Sequence, residues 1–447
     1  MTKFKKHLNN YLPSFILKKL KNNFFKSFMG IMGLKIVASG LGFGLNILLA
    51  RLLGIKGLGV YNYVLAWHGL LIIPAGLGLN TMLVREIAVY KAESSWGLLR
   101  GILRWSNQIV LVCSFSIATI ATAIVWNSDI KEQPQMFLAF VIAMLLLPLT
   151  ALRNLRLAAM KGLNLVFMGL MPEMLIVPVV VIVLTVCPYL FFNQNITAAW
   201  VLGTTVIATI ITFAIGIYLL QKALPKPVKQ ATCEYRTRIW LSKLLPFMLL
   251  SGMYVITSRS DILMIGTIKG TEAAGLYGPV VKGVQLLAFV LTAINNVLSP
   301  SIASLYTEKK LAKIQQIVTK SSQMMLVISL PIAAILLFGG NWYLSLFGSE
   351  FVRARSALTI LCLGQLFSIA AGSVGTILNM TGNEKYNLIG SVVNILLNVV
   401  LNLLWIPNWG INGAAAATAS STIVVNTLKV IWVRQKIGIN STALGRF

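Results

Sequence analysis

Six charged side chains lie inside long apolar runs of this sequence: Lys35, Glu173, Arg259, Asp261, Lys282 and Lys429. A charge in a run long enough to cross a membrane is costly, and it usually faces the protein interior or a water-filled pathway. Lysine and arginine could hold an anionic group such as a phosphate, and a carboxylate could hold a proton or a metal cation. These residue types therefore indicate the binding and movement of charged species.

The segment SRSDILMIG, Ser258–Gly266, contains two of these charges. Arg259 and Asp261 are two residues apart, which places them roughly 200° apart around a helix, so they do not pair with each other. Asp261 and Lys282 lie on consecutive antiparallel helices, roughly 8–10 Å below the same end, and are predicted to pair. We expect Arg259, Lys282 and Asp261 to contribute to substrate binding. The alternative is that Arg259 extends to the membrane surface, while Asp261 and Lys282 form a structural pair.

Three further residues in the apolar runs each have two interpretations. Lys35 could bind an anionic head group of the substrate, or its side chain could extend to the membrane surface. Lys429 lies close to the end of the last run and is interpreted as surface-directed. Glu173, directly after Pro172, is a candidate ion-coupling residue or one half of a structural ion pair. Asp261 is a second ion-coupling candidate.

His68 is the third ion-coupling candidate, because histidine titrates near neutral pH. The alternative is a histidine hydrogen-bonded inside a helix bundle. Arg153 and Arg156 follow the fourth run and could contact substrate or lipid phosphates. Basic residues also flank membrane spans without any binding role.

The sequence shows no pattern of hydrolytic or transferase chemistry. It has no phosphate-binding loop, no metal-ligand cluster and no nucleophile–base pair, and its four cysteines lack metal-ligand spacing. We therefore expect a transporter and not an enzyme. We expect no metal site and no cofactor, with a proton or sodium ion as the candidate coupling ion.

The elements that must position these residues are membrane helices. The chain is 57% hydrophobic and only 11% charged, against roughly 25% charged in a soluble domain. Helices are required because backbone groups in lipid must be satisfied internally. The predicted fold is an all-α polytopic membrane protein with twelve spans, at 28–50, 59–83, 105–126, 136–152, 167–192, 198–221, 244–266, 275–298, 321–347, 356–379, 387–406 and 411–433.

The basic residues are distributed unevenly between the two sides of these spans. Most of the 38 lysines and arginines fall in the termini and in the loops on the same side as the termini. The opposite side holds only Arg51, Lys56, Lys131, Lys269, Arg353 and Arg355. The positive-inside rule then predicts that both termini are cytoplasmic. Most of the net charge of +27 lies on this cytoplasmic side, where anionic lipid head groups attract it. We therefore expect no nucleic-acid partner.

The sequence also indicates that a unit of six spans occurs twice in the chain. LLGIKGLGVYNY (52–63) aligns with IKGTEAAGLYGP (268–279), matching Gly54 with Gly270, Gly59 with Gly275 and Tyr61 with Tyr277. Two parallel repeats imply two pseudo-symmetric six-helix lobes around a central cavity. The predicted division is a basic membrane-surface segment, an N-terminal lobe, a cytoplasmic linker, a C-terminal lobe and a cytoplasmic tail, at 1–27, 28–221, 222–243, 244–433 and 434–447.

The stretch from Asp261 to Tyr306, with Asp261, Gly266, Gly275, Tyr277 and Lys282 in order, resembles the polysaccharide flippases of the multidrug/oligosaccharidyl-lipid/polysaccharide exporter superfamily. The similarity extends to LLARLLGIKGLGVYNY and to the stretch 381–418, and it covers most of the chain. Arg259 is not part of the family pattern.

The resemblance implies a flippase for undecaprenyl-pyrophosphate-linked oligosaccharide repeat units, working by alternating access. It would act in the bacterial cytoplasmic (inner) membrane, from the cytoplasmic to the periplasmic leaflet, for O-antigen, capsule or exopolysaccharide synthesis. The expected partners are the lipid-linked oligosaccharide, membrane lipids, a glycan polymerase and glycosyltransferases.

Two rival functions stay open. An ion-coupled multidrug or cation exporter of the same superfamily would need carboxylates for cationic cargo, and the predicted spans hold only two. A non-transporting membrane scaffold for glycan assembly would need neither the repeat nor the charges within the spans.

Overall fold

The computed structural model describes residues 14–192, 195–443 and 445, and the secondary structure of these residues is helical with no strand. The α-helices, in chain order, are α1 Ser14–Gly76, α2 Leu79–Ala92, α3 Trp96–Trp126, α4 Pro134–Gly162, α5 Val166–Met171, α6 Val177–Phe192, α7 Ala198–Ala223, α8 Lys226–Gln230, α9 Thr237–Lys269, α10 Thr271–Thr307, α11 Leu311–Phe338, α12 Gly340–Ser345, α13 Arg355–Ala371, α14 Val374–Met380 and α15 Glu384–Ile437. Short 3₁₀ helices cover Asp129–Glu132 and Ser349–Ala354, and a π-helical turn covers Pro172–Ile176.

Ten helical stretches of the described chain are long and apolar enough to cross a membrane. Two of them, in α1 and α15, are each broken at one glycine. Gly54 has φ 63° and ψ −174°, and Gly410 has φ 53° and ψ −129°, conformations that glycine adopts at little steric cost. Both glycines fall where the sequence predicts a boundary between spans. The predicted all-α polytopic membrane protein is confirmed.

Several predicted boundaries differ from the observed ones. The second predicted span ends at 83, but α1 ends at Gly76 and the left-handed Gly78 precedes α2. The helix α9 begins at Thr237, inside the predicted linker 222–243. The helix α15 continues into the predicted tail as far as Ile437. Of the predicted surface segment, residues 1–13 lie outside the described residues, and α1 includes the rest.

The segment between α7 and α9 packs against α3. The Glu234 backbone N–H donates to the Gly97 carbonyl at 3.1 Å. The Arg100 Nη1 donates to the carbonyls of Lys229 at 3.0 Å and Ala231 at 2.6 Å. The connection is therefore fixed to the first half of the chain, and we call this end of the bundle the linker end.

The two halves of the chain also make a close backbone contact at the glycines of the predicted repeat. A Cβ on Gly59 would overlap the carbonyl oxygen of Thr271, and a Cβ on Gly275 would overlap that of Ile55. Residues 55 and 271 have the same separation in sequence as 59 and 275, so each half contacts the other through equivalent positions. This reciprocity is the pattern of a two-fold contact. The largest apolar cluster continues through both halves, from Leu49 to Ala415.

The Gly59–Gly275 contact leads to a stability prediction. Gly59→Ala and Gly275→Ala should each lower the melting temperature of the purified protein in detergent. The added methyl group meets backbone that cannot rotate away, which costs about 1–3 kcal/mol. Gly203→Ala in α7 is the control, because its Cβ would meet nothing within 4 Å. Melting temperatures of the two variants equal to that of the control would contradict the close contact.

Candidate functional site

Two cations line one internal cavity of ≈ 290 Å³ between α1, α9 and α10. They are Arg259 of α9 and Lys282 of α10, and neither forms an ion pair with a carboxylate of the described chain. Among the described residues, no aspartate or glutamate lines this cavity. Its other polar lining residues are neutral: Asn46, Tyr61, Asn62, Tyr254, Ser258 and Gln285.

Local packing positions the guanidinium of Arg259 against α1. A Cβ on Gly69 would lie 3.3 Å from the Arg259 Nε, so the absence of a side chain at Gly69 admits the arginine. Arg259 therefore crosses from α9 to the opposite half of the chain and does not extend to the surface. The cavity concentrates positive charge between the halves, a suitable place for an anion.

Asp261 lies outside this cavity and accepts hydrogen bonds from four neutral side chains. The Tyr277 hydroxyl donates to Oδ2 at 2.9 Å and the Thr418 hydroxyl to the same oxygen at 2.6 Å. The amides of Asn398 and Asn402 donate to Oδ1 at 3.2 and 2.9 Å. We call these five residues the Asp261 cluster.

The predicted ion pair between Asp261 and Lys282 is wrong. The residue of α10 that binds Asp261 is Tyr277, five positions before Lys282 and therefore roughly 140° away around the helix. The two side chains of α10 consequently face different neighbours. Lys282 joins Arg259 at the cavity, while Asp261 is satisfied without any cation.

The break at Gly410 makes the Asp261 cluster possible. Asn398 and Asn402 come from the arm of α15 before this glycine, and Thr418 comes from the arm after it. The arms are linked directly, since the Asn398 amide donates to the Thr418 hydroxyl at 2.8 Å. The Oδ1 atom of Asn402 is buried and has no hydrogen-bond partner among the described residues. Our sequence analysis missed the α15 members, although NILLNVVLN spaces its asparagines four apart on one helix face.

Glu173 is held in an ion pair within the first half of the chain. The Arg156 Nη2 contacts Glu173 Oε1, and the Arg153 Nε lies 3.8 Å from Glu173 Oε2. The Arg156 Nη1 donates to the Thr212 carbonyl at 3.0 Å, and Gly216 leaves room for its guanidinium. Arg156 is 4% exposed, and protein groups already bind its guanidinium, so its contact with substrate or lipid phosphates stays a prediction. Of the two interpretations of Glu173, the structure agrees with the structural ion pair.

Neither Lys35 nor His68 lines the cavity that contains Arg259 and Lys282, which we call the Arg259 cavity. Lys35 lines a separate cavity of ≈ 320 Å³ with Ser39 of α1 and Thr292 and Asn296 of α10. His68 is 7% exposed in α1, and its Nε2 has no hydrogen-bond partner within the described chain. The structure thus joins Arg259 with Lys282, and Glu173 with Arg153 and Arg156, and separates these groups from Asp261 and Lys35.

Comparison with known families shows the family to which the chain belongs. A family profile described as "Polysaccharide biosynthesis protein" matches residues 24–306. The chain belongs to this family. It is a family of polysaccharide flippases in the MOP superfamily, as the motifs predicted. A second profile, described as MatE, matches residues 246–404.

Individual relatives agree with this assignment. The "Probable low-salt glycan biosynthesis flippase Agl15" of Haloferax volcanii is 24% identical over 54% of this chain, a match that spans half of that relative. The inward-facing structure of a multidrug resistance MATE transporter of the MOP superfamily has a TM-score of 0.72 at 13% identity, covering 90% of this chain and 94% of that one. The lipid II flippase MurJ, in an inward closed conformation, has a TM-score of 0.68 at 13% identity, with 91% and 87% covered. These structures show a shared fold.

The hydrogen-bond pattern of the Asp261 cluster leads to a second prediction. Asp261→Asn should lower the melting temperature, because the new amide group can no longer accept from all four donors. A buried polar group left unpaired costs about 1–3 kcal/mol. Asp129→Asn, at an exposed 3₁₀ turn, is the matched control. If Asp261→Asn melts like Asp129→Asn, the four donors do not depend on the carboxylate.

Proposed function

We propose that this family member flips undecaprenyl-pyrophosphate-linked oligosaccharide repeat units from the cytoplasmic to the periplasmic leaflet of the bacterial inner membrane. The product would serve O-antigen, capsule or exopolysaccharide synthesis. The observation that carries this proposal is the cavity that contains Arg259 and Lys282 and no carboxylate.

Unpaired charges explain why an anionic cargo fits this cavity. Two cations held between membrane helices without a counter-ion are costly, and such residues are typically functional. A diphosphate would supply the missing negative charge. The arginine fork could bind its oxygens in pairs, and the lysine could add a point charge. The amide and hydroxyl groups around them could satisfy the remaining oxygens.

The backbone supports alternating access as the mechanism. If the breaks at Gly54 and Gly410 each separate two spans, the ten membrane-length stretches of the described chain would give the proposed twelve spans, six in each of the two proposed lobes, 28–221 and 244–433. The proposed lobes are in close backbone contact at Gly59 and Gly275, and rocking about that contact would expose the cavity to one side and then the other. The distribution of basic residues supports a cytoplasmic position for the linker end and both termini.

The Asp261 cluster is the best-supported site for a coupling ion. Sodium prefers oxygen ligands, and here a carboxylate, a threonine hydroxyl and two asparagine side chains surround one point. The unpartnered Oδ1 of Asn402 could become a ligand if the amide turned. A proton on the carboxylate is the second option. Glu173 is less suited because Arg153 and Arg156 contact it, and His68 stays a candidate for proton transfer.

A multidrug exporter is the second candidate, favoured by the MatE profile match. Cationic drugs would meet the unpaired positive charges of Arg259 and Lys282 in the Arg259 cavity. Like charges in a poorly solvated site repel strongly, so the charge of this cavity favours the glycan flippase.

A deletion strain tests the proposed function. Loss of the protein should trap the lipid-linked repeat unit on the cytoplasmic leaflet, where a membrane-impermeant glycosidase applied from outside cannot reach it. Surface glycan should fall at the same time. Glycosyltransferases would still supply the repeat unit, and a polymerase would lack its substrate. Normal surface glycan in a strain without a redundant flippase would contradict the proposal.

Arg259 provides the residue-level prediction. Arg259→Ala should reduce flipping at least tenfold with unchanged protein level, because a charge-assisted hydrogen bond contributes about 1.5–3 kcal/mol. Arg259→Lys should retain part of the activity. Arg353→Ala, at an exposed 3₁₀ helix away from the cavity, is the control for the loss of one positive charge. Equal flux through Arg259→Ala and Arg353→Ala would remove Arg259 from the substrate pathway.

A further inference from the structure

A second cavity of ≈ 530 Å³ lies in the second half of the chain, between α9 and the two arms of α15, and reaches the turn after α14. Its volume is within the usual range of small-molecule sites, about 300–1,000 Å³. Side-chain amides and hydroxyls dominate its polar lining: Asn379, Asn387, Ser391, Asn394, Thr422 and Asn426. Neither the Arg259 cavity nor the Asp261 cluster includes these residues.

The amides of this cavity are largely fixed before any ligand arrives. The Asn387 Nδ2 donates to the Asn379 Oδ1 at 3.0 Å, and the Asn426 Nδ2 donates to the Ser368 hydroxyl at 3.0 Å. Asn394 differs, because its Oδ1 is buried without a hydrogen-bond partner in the described chain. An amide both donates and accepts, which suits the adjacent hydroxyls of a pyranose ring. Asn394 would gain its missing bond from such a hydroxyl.

Lys429 supplies a positive charge to this cavity. Gly390 lets its stem cross between the arms of α15, since a Cβ there would lie 2.5 Å from the Lys429 Cε. Lys429 lines the cavity and makes no ion pair with any described carboxylate. The interpretation of Lys429 as a surface-directed lysine stays a prediction, and its side chain lines this cavity on the way. The other charged lining residues, Glu384 and Lys385, offset each other, which leaves a formal charge complementary to one anion.

This second cavity, which we call the amide cavity, adjoins the Arg259 cavity at Tyr254, which lines both. Tyr254 lies five residues from Arg259 on α9, roughly 7.5 Å along the helix. It is 79% exposed, so its ring is free to pack against the apolar face of a sugar. A molecule with a diphosphate at Arg259 could thus extend past Tyr254 into the amide cavity.

We propose that the amide cavity is a glycan subsite that binds a sugar carrying a single carboxylate, of the uronic acid class. Lys429 pairs with the carboxylate, and the asparagines, Asn394 in particular, bind the ring hydroxyls. This assignment rests on the proposed flippase function, in which the diphosphate of the same cargo stays at Arg259 and Lys282.

Binding to the full-length protein in nanodiscs tests the assignment with three probes. These are sugar-free undecaprenyl pyrophosphate, a soluble disaccharide that contains glucuronic acid, and the matched glucose disaccharide. Wild-type protein should bind the uronate disaccharide at least tenfold more tightly than the neutral one. Lys429→Gln should abolish that preference and leave carrier binding unchanged. Arg259→Gln should weaken carrier binding and leave the disaccharide preference in place. Asn394→Leu should weaken both disaccharides.

Each alternative gives a distinct result. If Lys429→Gln leaves the uronate preference intact, or weakens carrier and uronate by the same factor, the subsite is overturned. Competition of anionic phosphatidylglycerol with the uronate probe would overturn it in favour of a lipid head group. Uronate binding that needs Lys429, with no carrier binding by wild type, would keep the subsite and contradict the flippase. Melting temperatures show whether each variant is folded, with Lys385→Gln, at an exposed lining residue, as the control for the loss of one positive charge.

Discussion

The close contact of backbone at Gly59 and Gly275 is the constraint on which the rest of the structure depends. Helices in lipid gain little from apolar burial against one another, so small residues that let backbones approach are a main source of their association. Here each glycine lies against a carbonyl from the other half of the chain. The contact sets α1 against α10, and with α9 these helices enclose the cavity that holds Arg259 and Lys282.

The charges within the apolar spans separate into satisfied and unsatisfied groups. Arg156 and Glu173 neutralise each other inside the first half, and Asp261 is stabilised by four neutral donors. Arg259, Lys282 and Lys429 have no such compensation within the described chain. Because an uncompensated charge reduces stability, the unpaired cations are the ones that indicate a ligand.

The helix α15 joins the proposed coupling and glycan sites. Its two arms, which meet at Gly410, supply three members of the Asp261 cluster, and the same arms form one wall of the amide cavity. Asn394, Asn398 and Asn402 recur every four residues, so one face of the first arm passes from the cavity into the cluster. Binding of an ion to the Asp261 cluster would therefore act directly on the helix that forms one wall of the amide cavity.

The sequence by itself determined the helical membrane fold, the approximate apolar spans, the family and the separation of Arg259 from Asp261. All of these depend on local quantities: hydropathy over about 20 residues, the rise and the angular period of a helix. The same quantities gave Asp261 and Lys282 a common depth but could not say which way each helix is rotated toward its neighbour. That rotation placed Tyr277 beside Asp261 and Lys282 beside Arg259.

Only the tertiary structure decided the partners. Asn398, Asn402 and Thr418 are more than a hundred residues from Asp261, and no local pattern connects them. Packing also brought Glu173 to Arg156 through the π-helical turn at Pro172, and it held Lys429 across Gly390. Such contacts depend on how helices pack, which glycine contacts and buried side chains from the whole chain set together. A window of sequence fixes a helix and its faces, but the neighbour of each face is a property of the assembled bundle.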